Sequence, residues 1–210
     1  MSEHATATHA AHASGQAAAH ATSMGVDSRK MGVWAFIGSE TLFFAALIVT
    51  YFIYKPVNAR LYPDQLPHEK LGIQFTGVLA AILLASSVTM VLALAASRRG
   101  DRRQFAIWQL STIGLGLCFL GGQAYEFYNL AVNEGLKLSS SMLGTTFFVL
   151  TGFHGTHVAI GATWLLAVFL KVRAYPDSPD NVMHVELGGL YWHFVDLVWV
   201  AVFTLIYLLP

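Results

Sequence analysis

Five long apolar stretches, separated by short polar ones, run through the 210 residues at about 31–54, 71–97, 104–132, 141–170 and 185–209. Each exceeds the roughly 20 residues that a helix rising ~1.5 Å per residue needs to cross a bilayer. A single segment in lipid must satisfy its own backbone hydrogen bonds, which only a helix does. The pattern predicts an all-α membrane protein, a bundle of five transmembrane helices within 29–210. Residues 1–28 break the pattern: they are Ala- and His-rich, with no large apolar residue between Met1 and Met24. Such a segment buries too little surface to offset the entropy of ordering, so it is read as a disordered tail. Its His4, His9, His12 and His20 are read as solvated rather than gathered on a metal.

The final stretch is the most informative. At three- and four-residue steps, Glu186, Gly189, His193, Asp196, Phe203 and Tyr207 share one helix face. An ionisable group in hydrocarbon costs a few kcal/mol or more, so this face must point at protein, water or a lipid headgroup. Polar groups interrupt other spans too: Glu40 in the first, Gln123 and Glu126 in the third, and Thr151, His154 and His157 in the fourth. Glu40, His193 and Asp196 fall at comparable depth when counted at ~1.5 Å per residue.

Composition agrees with the pattern. The chain is 55% hydrophobic and 11% charged, where a soluble domain carries about 25% charged residues. A net charge of zero and a pI near 7.1 argue against a nucleic-acid partner, which calls for a basic face. One cysteine, Cys118, lies in an apolar run and is read as a small buried packing residue, with no disulfide framework available. The N-terminus lacks a charged-then-apolar pattern, so no cleavable signal peptide is expected.

Basic residues orient the spans. Arg29, Lys30, Arg98, Arg99, Arg102, Arg103, Lys171 and Arg173 fall on one side, and Lys55, Arg60, Lys70 and Lys137 on the other. The positive-inside rule then places the N-terminus in the cytoplasm and the C-terminus outside.

Three readings compete for the buried polar groups. His154, His157 and His193 suggest a haem or metal site, but two histidines three apart on one helix cannot take opposite faces of one haem. Glu40, His193 and Asp196 suggest a proton relay, but the outer half of the membrane offers little beyond Glu126 to complete it. The third reading is interhelical hydrogen bonding, on the order of 1 kcal/mol per contact, with Asp196 paired across helices. Gly152, Gly155, Ala159 and Gly161 on the fourth span, and Gly114, Gly121 and Gly122 on the third, admit close neighbours. Tyr51, Tyr54, Tyr125, Tyr128, Tyr191 and Trp192 lie near span ends and are read as interface anchors. Lys171 suits an anionic phosphate or plain flanking charge. No convergent catalytic site is visible, and the third reading is preferred.

Four motifs, in order, carry a resemblance: Ser-Glu-Thr-Leu-Phe-Phe (39–44), Gln-Ala-Tyr-Glu-Phe (123–127), Gly-Phe-His-Gly-Thr-His-Val (152–158) and Tyr-Trp-His-Phe-Val-Asp-Leu-Val-Trp (191–199). Together they resemble subunit III of the haem-copper terminal oxidases, over essentially all of 31–210. The resemblance implies a subunit without redox centres, in an enzyme that reduces oxygen to water and pumps protons. Haem and copper then belong to partner chains, the catalytic subunit I and subunit II. It implies phospholipid binding, support of assembly, stability and proton uptake, and a bacterial cell (inner) membrane. Residue by residue, Glu40 matches the carbodiimide-reactive intramembrane glutamate of the family. His154 and His157 match its histidine pair, and His193 and Asp196 match its Trp-His-Phe-Val-Asp motif. Lys171 stands where longer members have a lipid-binding arginine. Glu126 and Glu186 complete the polar contacts to lipid or helix.

Longer members have seven helices, the first two walling a lipid-filled cleft, and this chain resembles their last five. Cytochrome c and quinol oxidases both have short forms of this kind, and cytochrome c is the donor preferred here. A standalone proton channel and a b-type haem protein are the readings from other classes.

Overall fold

The computed structural model describes residues 27–61, 72–133 and 142–208. Five long helices are found among them: α1 (Ser28–Leu61), α2 (Ile73–Arg98), α3 (Arg102–Val132), α4 (Met142–Ala174) and α5 (Asn181–Val202). A π-helical turn, Phe203–Leu208, continues α5. All five are long and apolar enough to cross a membrane, as the pattern predicts. The histidines of the tail and the loop residues Lys70 and Lys137 lie outside the described residues.

Two compact units divide the chain, one up to Glu40 and one from Thr41 onward. Within the first, Asp27 receives the backbone N–H of Arg29 at 2.9 Å and its guanidinium at 3.1 Å, opening α1 with a carboxylate at the helix start. In the second, α2 packs on α3 and α5, and α4 packs on the same two helices, closing a ring.

Local chemistry explains the turns. Between α2 and α3, Gly100 takes φ +72°, and its N–H and that of Asp101 donate to Ser97 and Ala96 carbonyls at 3.1 Å. This is the Schellman ending, which favours glycine at the left-handed position. One residue later Asp101 caps α3, accepting from Gln104 N–H at 3.0 Å. Between α4 and α5, the Asn181 amide donates to the Tyr175 carbonyl at 2.7 Å and the Pro176 carbonyl at 3.2 Å, holding the loop closed.

One side chain joins the ring. Trp192 on α5 is 1% exposed and donates its Nε1–H to Ser86 Oγ on α2 at 2.9 Å. Its ring fills the space over Gly116 on α3 and Gly161 on α4, where an added Cβ would lie 2.5 Å and 3.1 Å from it. Lipid tails are as apolar as leucine, so close van der Waals packing over small residues drives such contacts. Trp192 and Tyr191 are therefore core residues rather than interface anchors, and Tyr51 is buried too. Tyr125 and Tyr128 do lie exposed. Cys118 is exposed rather than buried, because it falls on the outward stripe of α3.

Candidate functional site

The polar interior lies along the face of α5 read from the sequence, and that face looks at α2. Glu186 meets Arg98 at 3.6 Å. Gly189 takes the Met90 side chain, and Phe203 lies over Gly77. His193 Nδ1 meets Ser87 Oγ at 2.6 Å. The residue numbers rise along α5 as they fall along α2, so the two helices run antiparallel and one face zips the other.

Asp196 departs from expectation. It is 4% exposed, and among the described residues neither carboxyl oxygen has a hydrogen-bond partner. Ser87 lies beside it, but its hydroxyl is engaged with His193. Pairing across helices is thus realised by His193 and not by Asp196.

One turn further along, Trp199 stacks on His154 of α4, ring centroids 4.8 Å apart and 26° inclined. Phe119 of α3 closes the box edge-on at 5.8 Å, and Phe44 of α1 at 6.4 Å. His154 is fully buried. Among the described residues, neither of its ring nitrogens nor the Trp199 indole nitrogen has a hydrogen-bond partner. The box holds an imidazole by ring packing.

A third cluster sits near the far end of the ring. Thr76 of α2 donates to Glu126 of α3 at 2.6 Å, and Tyr207 of the π-helical turn packs beside both. π-turns widen the helix by one residue and re-aim the side chains beyond them, which here brings Tyr207 to Glu126. Between the clusters, Thr89 meets Thr112 at 2.7 Å, Gln109 donates to the Leu165 carbonyl at 3.1 Å and Gln123 to the Thr151 carbonyl at 2.7 Å. These bonds join α2 to α3 and α3 to α4.

The remaining candidates lie apart. His157 is half-exposed, its Nδ1 2.7 Å from the Phe153 carbonyl of its own helix and its ring edge-on to Phe44 at 5.0 Å. Lys171 is exposed and donates to His184 Nε2 at 2.5 Å. Glu40 is half-buried and engaged within its surroundings; it belongs to the first compact unit, the other seven to the second. The three histidines thus occupy three different settings: an aromatic box, the groove under α1, and the α2 contact. Among the described residues, no three His, Cys, Asp or Glu side chains gather as a metal site.

Sequence reasoning did not single out Ser86, Ser87, Thr76 or Gly116. The serine pair was visible as two adjacent hydroxyls in an otherwise apolar span. Nothing distinguished Gly116 from Gly114 and Gly121, which meet only open space, as Gly152 nearly does. Gly122, Gly155 and Gly161 do receive neighbours: Leu79, Gln123 and Trp192.

Comparison with known proteins agrees with this geometry. The sequence profile of the family described as cytochrome c oxidase subunit III matches residues 8–209. A cytochrome c oxidase subunit 3 of Alkalihalophilus pseudofirmus is 34% identical over 179 residues, 85% of each chain. A quinol oxidase subunit 3 of Bacillus subtilis is 36% identical, covering 85% of this chain and 86% of its own length. A cytochrome c oxidase subunit 3 of Synechocystis is 37% identical over 185 residues, 87% of this chain and 76% of that one. A chain whose buried polar groups bind helix to helix, and which aligns with these proteins along nearly all its length, belongs to the cytochrome c oxidase subunit III family.

Proposed function

We propose that this chain is the accessory subunit III of a proton-pumping haem-copper oxidase, docked against subunits I and II in a bacterial inner membrane. In this reading its N-terminus is cytoplasmic and its C-terminus is outside. It carries no redox centre, supports assembly, stability and proton uptake, and holds phospholipid, with Lys171 contributing a headgroup charge. The observation that carries the reading is the destination of the polar groups. Ser86, Ser87, Thr76, Thr112, Gln109 and Gln123 all bond between helices, which suits a scaffold.

The test is affinity purification of the tagged full chain from its native membrane in mild detergent, with optical spectroscopy and mass identification of what accompanies it. Haem and copper are expected in co-purifying larger subunits, and the chain stripped from them is expected to be colourless. Stoichiometric haem on the stripped chain would overturn the proposal. The co-purified enzyme also identifies its donor: oxidation of reduced cytochrome c is expected, and oxidation of quinol alone would make it a quinol oxidase subunit. A cysteine in place of Gly100 is expected to react with an impermeant thiol reagent only from the cytoplasmic side, and labelling from outside would invert the orientation.

A second reading, a standalone proton channel, draws on the buried Asp196 beside His193, whose carboxyl has no hydrogen-bond partner among the described residues. It requires proton flux in liposomes containing this chain alone, abolished by Asp196→Asn. Silence there removes it.

A further inference from the structure

On the outward stripes of α3 and α4, hydroxyls are returned to their own helix. Ser111 of α3 donates to the Ile107 carbonyl at 2.8 Å, and Thr156 and Thr163 of α4 donate to the Gly152 and Ala159 carbonyls at 2.9 and 2.8 Å. Groups satisfied in this way need nothing from a neighbour and can stand in hydrocarbon. His193 is different. It lies near the middle of the Asn181–Leu208 span, half-buried, on the side of α5 that meets α2. Its Nδ1 is taken by Ser87 at 2.6 Å. Nε2, on the far edge of the ring, has no hydrogen bond among the described residues. The surface one turn away on the same helix faces is apolar: Leu84 and Val91 flank Ser87 on α2, Leu197 follows His193 on α5, and all three are exposed.

We infer that this α2–α5 face docks a transmembrane helix of a partner chain, apolar along its length but carrying one hydroxyl, amide or carboxyl group opposite His193 Nε2. A polar nitrogen in hydrocarbon without a hydrogen bond is unfavourable, so histidines within spans face protein or water rather than acyl chains. An acyl chain offers neither donor nor acceptor, and lipid headgroups lie at the ends of the span rather than its middle. Packing and bonds across helices are what join one membrane helix to another. Here Ser87 fixes the imidazole in advance, and Leu84, Val91 and Leu197 supply the apolar surface around it. The Arg98–Glu186 pair, 3.6 Å apart, ends the face with its charges already matched. A second copy of this chain suits the face poorly. About a two-fold axis along the membrane normal it would bring to that depth only its own His193 and a Ser87 already engaged. The identity of the partner rests on the oxidase reading, which supplies larger membrane subunits; the face is read from this chain itself.

Photo-crosslinking of the full chain in its native membrane, followed by purification in mild detergent, tests the assignment. Leu197→p-benzoylphenylalanine and Val91→p-benzoylphenylalanine are each expected, on illumination, to join this chain to a larger subunit of the haem-bearing complex, identified by mass. Leu117→p-benzoylphenylalanine, on the exposed stripe of α3, is expected to capture lipid alone. His193→Phe keeps a ring but no nitrogen, and is expected to weaken retention of the larger subunits roughly five-fold in a detergent titration, the worth of one interhelical hydrogen bond. Ser87→Ala removes the bond inside the bundle but keeps Nε2, and is expected to leave retention nearly unchanged. Equal losses in these two variants would confine His193 to the bundle and overturn the inference. So would capture of a larger subunit from Leu117 but from neither Leu197 nor Val91, capture of a second copy of this chain, or capture of lipid alone at all three positions. Each of those results, with haem-bearing subunits still co-purifying, refutes this face and leaves the oxidase reading intact. Absence of those subunits from the purified material is the failure of that reading, and the inference falls with it.

Discussion

The first and last spans are comparably apolar, yet they stand at opposite ends of burial. From Thr41 onward, Phe44 and Tyr51 are the buried residues of α1 among those described, against more than half of the span made by α5 and the turn after it. The difference lies in what each helix carries besides hydrophobic residues. α5 brings a tryptophan that reaches three other helices, a histidine on a serine, and a second tryptophan stacked on a buried imidazole. From Thr41 onward, α1 meets the other helices through Phe43, Phe44 and the buried Tyr51, which lies near Tyr207, while Leu42, Val49 and Ile53 are exposed. Hydropathy says which helices enter a membrane. Aromatic rings seated over glycines, and side chains that bond across helices, say which of them enter the bundle.

The sharpest way to break that contrast is Trp192→Ala. Emptying the slot over Gly116 and Gly161 is expected to cost about 3–5 kcal/mol, read by unfolding in SDS titrated into mild detergent. A loss near zero would mean that α5 is not the centre of the ring. Next is Phe44→Ala, expected to cost about 3 kcal/mol and to speed amide exchange over 41–61 while leaving 72–208 protected. If exchange rises evenly through all the helices, α1 is as integral as α5. Thr76→Val removes the hydroxyl that serves Glu126 and is expected to cost about 1–2 kcal/mol in the same titration. Asp196→Leu goes the other way: replacing a buried carboxyl that has no partner among the described residues is expected to raise stability by about 1 kcal/mol. A clear loss there would show that Asp196 is paired after all. Smallest of all, Leu42→Ala on exposed α1 is expected to change stability by less than about 0.5 kcal/mol.

The same division separates the features legible in the chain alone from those that are not. The five spans are legible because length and apolarity are summed over twenty or more residues. The face of α5 that meets α2 is legible because a helix repeats every 3.6 residues whatever it packs on. Which group pairs with which is not. His193 takes Ser87, and among the described residues Asp196 is left without a hydrogen-bond partner, a choice made by side-chain positions on a neighbouring helix about a hundred residues away. Trp192 reads as an interface anchor because it lies near the end of its span; its burial depends on Gly116 and Gly161, whose significance only the assembled ring reveals. Cys118 errs in the opposite direction, reading as buried and lying exposed. An apolar stretch of sequence does not tell the inner side of a helix from the outer.

The turn from Phe203 to Leu208 ties a local winding defect to the acid it serves. Because that turn already holds one residue more than an α-helix would, inserting one further alanine after Thr204 would add a residue wound as ordinary helix. Every later side chain would then swing by about 100°, carrying the Tyr207 phenol off Glu126 although no contact residue had been replaced. Length in this short stretch is therefore as much a determinant of the interior as any side chain within it.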